Sequence, residues 1–240
     1  AGALWIGTAD GLFESAAGRG ITRYSVENGL PSNDIRALTE GHDGRLWIGT
    51  SHGLAFRKDG RLTPLTLPSG SLTRIILCLR ADSDGLLWCG TLGGGLIRLQ
   101  EGAATAFTTQ QGFPGNTIYQ ILDDGLGSLW LTSNRGVFKV SKAELNRLAR
   151  QEIRAVAPVV FSRADGLPSE ECKGFSQPAG WRARDGRLWF PTSKGVAVID
   201  PAHVAPNRAA PPVVLEQVIA DNERLALAAE VNLKPGREKL

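Results

Sequence analysis

Apolar runs of four to six residues alternate with turns rich in Gly, Asp and Ser along most of this chain. In one representative stretch the apolar runs are Ile35–Thr39, Leu46–Thr50, Leu54–Phe56 and Leu62–Leu67, and His42-Asp43-Gly44 and Ser51-His52-Gly53 separate the first three. Runs this short predict strands, since a helix of ordinary length needs more residues. Asp-Gly pairs recur between runs, at Asp43-Gly44, Asp84-Gly85 and Asp185-Gly186, and supply the positive φ of a tight turn. Within the second run Leu46 and Ile48 fall on one face and Trp47 on the other. Both faces are thus apolar, as in a sheet packed between two neighbouring sheets.

The pattern repeats. The phrase Gly-x-Leu-Trp ends at Trp5, Trp47, Trp88, Trp130 and Trp189, with separations of 42, 41, 42 and 59 residues. A second glycine follows six residues on, at Gly11, Gly53, Gly136 and Gly195; in the third copy Gly95 takes that place, one residue late, which predicts a one-residue loop insertion. A period near 40 residues with several strands per unit is that of a propeller blade. The fold class is therefore all-β, a β-propeller of four-stranded blades with about five repeats present.

A second marker lies between units, at Gly29-Leu30-Pro31, Gly70-Ser71-Leu72, Gly112-Phe113-Pro114 and Gly166-Leu167-Pro168. Marker-to-tryptophan distances are 18, 18, 18 and 23, so the last unit carries about five extra residues at 176–181. A larger insertion spans 141–158, within which Lys142 to Ala149 predicts one to two helical turns. Insertions of this kind serve either as surface decoration or as part of a working face.

Asp43 to Leu54 reads D-G-R-L-W-I-G-T-S-H-G-L, and this run resembles the two-component regulator propeller repeat. That family occurs in extracytoplasmic sensor regions of transmembrane histidine kinases and diguanylate cyclases. The closing unit strengthens the resemblance, from Gly166-Leu167-Pro168-Ser169-Glu170-Glu171-Cys172 through Trp189-Phe190-Pro191-Thr192 to Gly195–Pro201. Where the family commonly has Asn-Gly-Gly after the cysteine, this chain has Lys173-Gly174-Phe175. The resemblance implies a periplasmic location, a ring of about seven blades in the parent, homodimeric action in the full-length receptor, and a small-molecule or oligosaccharide ligand.

On this reading residues 1–206 are propeller blades, the first lacking its innermost strand. Residues 207–240 are a linker and the truncated start of an Ig-like connector, carried by Pro211–Ile219 and Leu233–Leu240. Two strands cannot close a sandwich. The chain is expected to be an internal piece of a larger protein, either a five-bladed ring or, preferably, the C-terminal part of a larger one.

Composition narrows the function. With 42% apolar residues, 29 glycines and a net charge of +3, the chain has the makeup of a folded domain. It lacks a basic stripe for nucleic acid or a basic amphipathic helix for a membrane surface, so any membrane attachment is expected through parts outside this chain. The three histidines, His42, His52 and His203, are scattered over turns and a linker, and no Cys/His set has metal-ligand spacing. We therefore expect no cofactor, no metal and no catalytic residue, against the alternatives of a propeller lyase or hydrolase or a protein-interaction scaffold. If Asp82–Gly85 is a four-residue turn, Cys78 and Cys89 face each other across a hairpin. They are then either a disulfide, given the oxidising compartment that the resemblance implies, or two buried thiols.

The expected ligand face follows from blade topology. Loops joining the second and third strands of each blade share one face of the ring with loops joining the outer strand to the next blade's inner strand. The first set offers Asp10, His52, Gly93, Arg135 and Lys194; the second offers Asn33, Arg74, Asn116 and Glu170 at the channel mouth. These positions vary between copies while the packing letters repeat. Such variation suits either recognition of one asymmetric ligand or unconstrained loops.

Overall fold

The computed structural model describes residues 2–18, 20–66, 74–83, 85–204, 218–220 and 223–225. Five antiparallel sheets follow one another along the chain, as the repeat requires. Blade 1 has three strands, β1 (Leu4–Thr8), β2 (Gly11–Ala16) and β3 (Gly20–Tyr24). Blade 2 has four, β4 (Ile35–Glu40), β5 (Leu46–Thr50), β6 (Gly53–Lys58) and β7 (Arg61–Leu65), and blade 3 repeats them as β8 (Ile76–Ala81), β9 (Leu87–Thr91), β10 (Leu96–Gln100) and β11 (Ala103–Phe107). Blade 4 is β12 (Gln120–Asp123), β13 (Ser128–Ser133), β14 (Gly136–Ser141) and β15 (Val159–Phe161), with helix α1 (Lys142–Ala149) between its last two strands. Blade 5 comprises β16 (Trp181–Arg182), β17 (Leu188–Thr192) and β18 (Gly195–Ile199).

Contacts divide the chain into two units, 1–204 and 205–240. Within the second, β19 (Val218–Ala220) pairs antiparallel with β20 (Glu223–Leu225). The remainder of the expected connector, including Pro211–Gln217 and Leu233–Leu240, lies outside the described residues.

Each tryptophan packs toward the following blade. Trp47 sits with Leu79, Leu87 and Cys89, Trp88 with Leu129 and Phe138, and Trp130 with Leu188 and Phe190. Trp47 is 8% exposed and Trp88 and Trp130 are fully buried, whereas Trp189, in the last blade, is 39% exposed. Burying one such ring contributes roughly 4–6 kcal/mol at the usual area coefficient.

Two residues past each tryptophan a socket forms between blades. A Cβ on Gly7, Gly49 or Gly90 would lie 2.7, 2.6 or 3.0 Å from Cγ2 of Ile35, Ile76 or Ile118 respectively. Each isoleucine stands six residues past its marker glycine, Gly29, Gly70 or Gly112; Ile35 and Ile76 open β4 and β8, and Ile118 lies two residues before β12. At the fourth interface the sizes are exchanged: the glycine position holds Thr132 and the isoleucine position holds Cys172, both buried. The sequence shows the glycines, but only the packing explains them.

The hydroxyl three residues past each tryptophan closes the turn between the second and third strands. Thr8, Thr50 and Thr192 donate to the carbonyls of Gly11, Gly53 and Gly195 at 2.8–2.9 Å, and Thr91 donates to Gly95 at 2.8 Å. Gly95 thus holds the displaced position expected from the one-residue insertion.

Helix α1 occupies the predicted Lys142–Ala149, capped by Ser141. Leu145, Leu148 and Val156 of the 141–158 insertion join the core containing Trp88 and Phe113, so this insertion is packed structure.

The cross-strand register expected for Cys78 and Cys89 is corrected. The turn after β8 holds five residues, closed by Asp82 N donating to Leu86 O at 2.8 Å, and a bulge follows Ile76. Cys78 therefore pairs with Gly90, and Cys89 with Leu79. A one-residue slip reverses the face, so Cys78 enters the cluster with Trp88 and Cys89 the cluster with Trp47. All three cysteines are free and buried. Burial pushes the thiols of Cys78 and Cys89 far up, and that of Cys172 to about 11.

Candidate functional site

The two expected loop sets do share a face. Ser51 Oγ and Ser32 Oγ lie 2.8 Å apart, Ser193 Oγ and Ser169 Oγ lie 2.8 Å apart, and Gly93 N donates to Thr117 Oγ1 at 3.2 Å. Their roles differ, however. Asn33 Oδ1, Asn116 Oδ1 and Glu170 Oε1 accept from the backbone N–H seven residues earlier, at Val26, Thr109 and Arg163, over 2.9, 2.8 and 3.3 Å. Each of those N–H groups begins a 3-10 turn whose cap, Ser25, Thr108 or Ser162, forms a reciprocal capping box and whose end is Gly29, Gly112 or Gly166 at φ 101, 95 and 93°. A left-handed glycine is needed there.

Three of the four residues expected at the channel mouth, Asn33, Asn116 and Glu170, are thus capping groups. Sequence reading missed this, although the signal is legible as Ser/Thr-x-x-Asn/Gln/Asp-Gly at three of the four markers, ending at Gly29, Gly112 and Gly166. The fourth, Arg74, lies over Gly93 and Gly94. Of the other set, Asp10 pairs with Arg23 at 2.6 Å, His52 Nδ1 lies 3.0 Å from Ser51 Oγ, and the backbone N–H groups of Arg135 and Lys194 bond the turn hydroxyls of Ser133 and Thr192.

The extra residues of the last unit leave the inner strand. Cys172 bridges to Thr192 and Arg182 pairs with Leu188, as Ile35 and Glu40 pair with Thr50 and Leu46 in blade 2. Between these points the chain departs at Gly174 and returns at Trp181. Gln177 reaches the free edge of β4: its Oε1 accepts from Leu38 N at 2.7 Å and its Nε2 donates to Leu38 O at 3.3 Å. This is the hydrogen-bond pattern of an added strand. Gln120 Nε2 donates to Gly180 O at 3.2 Å, and the Tyr119 and Phe175 rings lie 5.4 Å apart. Residues 174–180 thus form a strap from blade 5 to the inner edge of blade 2, with two blades between them.

On the opposite face the turns between first and second strands carry two further features. Asp82 and Asp123, both nearly buried, share Lys142 Nζ at 3.3 and 2.9 Å, and Arg80 stands 3.8 Å from Asp123. Burial alone would raise the Asp123 carboxyl, but the Lys142 ammonium and the Gly125 N–H hold it below its ordinary value. Burial likewise opposes the Lys142 charge, and the two carboxylates outweigh it and raise its pKa. Beside this network, the turns of blades 2 and 3 enclose a cleft of about 290 Å³ lined by His42, Asp43, Arg45, Trp47, Asp82 and Ser83 among others. Nothing in the sequence pattern singled it out beyond two ordinary turns.

Among the described residues no group of three or more His, Cys, Asp or Glu is placed to hold a metal, and no helix is long and apolar enough to cross a membrane. The architecture is that of a β-propeller with four-stranded blades. Residues 29–52 match the two component regulator propeller family, which is the resemblance that the Asp43–Leu54 run carries. A histidine kinase P4 of Formosa agariphila is 22% identical over 95% of this chain, which spans only 17% of that protein. In fold the chain resembles the extracellular domain of BT3049 from B. thetaiotaomicron, assigned to a hybrid two component system (TM-score 0.71, 20% identity, 95% of this chain and 31% of that one). It also resembles virginiamycin B lyase from Staphylococcus aureus (TM-score 0.56, 17% identity, 83% of this chain and 66% of that one).

Proposed function

We propose that this chain is part of the extracytoplasmic sensor region of a membrane-bound histidine kinase, is itself non-catalytic, and acts in a homodimeric receptor. The observation that carries the reading is the two component regulator propeller match at residues 29–52. The histidine kinase relative, which aligns with most of this chain and extends far beyond it, supports the same output. A small molecule or oligosaccharide would bind the face bearing His52, Arg74, Arg135 and Lys194. Asn33, Asn116 and Glu170 would shape that face through the turns they cap. The ligand needs only to favour one arrangement of the paired receptors to change output.

The test is autophosphorylation of the receptor carrying this chain, reconstituted in lipid nanodiscs so that both sides are accessible, against a panel of oligosaccharides. The expected result is a change in phosphorylation rate with one of them, lost in an Arg135→Ala/Lys194→Ala variant that folds normally. Phosphorylation unaffected by the panel, or a response that survives the double substitution, would refute the assignment of this face.

A further inference from the structure

The blade-4 turn shows what the cleft on the opposite face lacks. There Asp124, six residues before Trp130, is buried; its Oδ2 accepts from Trp130 Nε1 at 3.0 Å and its Oδ1 from the N–H groups of Leu126 and Ser128 at 2.7 and 3.0 Å. The indole N–H is thereby satisfied, as a buried donor requires. In blade 2 the corresponding position is Gly41. A Cβ built there would lie 3.1 Å from Trp47 Nε1, and that N–H bonds to no described residue. Trp47 is 92% buried by its 8% exposure, yet it lines the 290 Å³ cleft. An unpaired donor on a mostly buried residue therefore faces the open cleft where blade 4 places an oxygen.

The charges around it choose the oxygen. Asp43 already pairs with Arg45 at 3.0 Å, and Asp82 lies 3.3 Å from Lys142, which it shares with Asp123, so each of the two carboxylates among the described lining residues has a cation beside it. An incoming carboxylate would meet Asp43, whose Oδ1 lies 2.9 Å from the same Cβ position. An incoming cation would find both carboxylates already matched. A hydroxyl suits both neighbours, accepting from the indole N–H and donating to the Asp43 carboxylate. The Arg45 guanidinium, 5.7 Å from the Trp47 ring and 4.8 Å from the Phe56 ring, makes a stiff wall beside it.

We propose that the cleft between the first turns of blades 2 and 3 binds an uncharged polyhydroxylated ligand, with one hydroxyl seated between Trp47 Nε1 and Asp43. The site lies on the face opposite the loops assigned to sensing, so it stands or falls independently of that reading.

The experiment follows the indole N–H resonances of the full chain labelled with nitrogen-15, Trp47 being identified from a Trp47→Phe spectrum. Sorbitol, glucose and, at constant ionic strength, acetate are titrated separately. The expected result is a saturable shift of the Trp47 resonance with at least one polyol and none with acetate. Gly41→Asp, which installs the blade-4 carboxylate, should weaken polyol binding at least tenfold. If that variant does not fold, Asp43→Ala replaces it with the same expectation. No saturable shift with either polyol, equal binding of acetate, or unchanged affinity in the folded variant would overturn the proposal.

Discussion

The glycine sockets between blades can be tested by giving one interface the sizes of another. Replacing Gly49 by Thr, the residue at the equivalent place in blade 4, puts a Cβ 2.6 Å from Ile76 Cγ2, 3.0 Å from Ile76 Cβ and 3.3 Å from Ala37 Cβ. Ile76 is fully buried and branched at Cβ, so it cannot swing aside. Overpacking of this kind costs about 3 kcal/mol. Ile76→Cys alone removes buried carbon and leaves a gap, at a cost of about 2 kcal/mol. The double variant restores a Thr/Cys pair like Thr132 and Cys172, and its loss should fall short of the sum by roughly 2 kcal/mol, well above the few tenths by which independent sites depart from additivity. Urea unfolding followed by tryptophan fluorescence reads this directly. With a slope of about 2 kcal/mol/M, the double variant's midpoint should exceed the additive expectation by about 1 M. A midpoint at the additive value would refute the socket argument.

Other outcomes follow from the same structure. Lys142→Ala leaves Asp82 and Asp123 without their shared cation; the loss should be about 2–3 kcal/mol, less than for a fully buried pair because Arg80 remains near Asp123, and urea unfolding at neutral pH measures it. The Asp123 pKa is depressed on folding, so its contribution is present above the ordinary aspartate value of 3.8 and is lost as pH falls through the lower folded value. Lys142 has a raised pKa, so its contribution is complete below 10.5 and is lost only as pH rises through the higher folded value; removing the lysine should flatten both limbs of a stability profile against pH. Asn116→Ala should cost about 1 kcal/mol through the lost cap on Thr109 N, seen as a lower melting temperature. Thiol titration should find no fast-reacting cysteine in the native chain and 3 after denaturation without reductant; fewer than 3 would reveal a bridge. Gln177→Ala should speed hydrogen exchange at Leu38, whose N–H donates to that side chain.

The repeat, the strand runs, the helix at 142–149 and the shifted Gly95 were legible because each leaves a periodic or compositional mark. The register at Cys78 was not. Asp-Gly reads locally as a tight turn, whereas this turn is five residues long, and one residue decides which face a side chain takes. Asn33, Asn116 and Glu170 looked variable, yet all three present an oxygen to the same N–H. Substitution among Asn and Glu preserves that acceptor, so variation by letter concealed constancy by chemistry. The 290 Å³ cleft was invisible because it depends on what Gly41 omits and on two turns meeting in space.

The strap changes how the blades hold together. Neighbouring propeller blades are ordinarily joined by packing alone, and the strain between two distant ones must pass through every sheet between. Here Gln177 ties blade 5 to blade 2 directly, as a spoke ties opposite parts of a wheel rim. Rotation of either sheet stretches two hydrogen bonds near the axis before it disturbs the apolar interfaces of blades 3 and 4. Within the same strap Phe175 lies against the Tyr119 ring and remains 54% exposed.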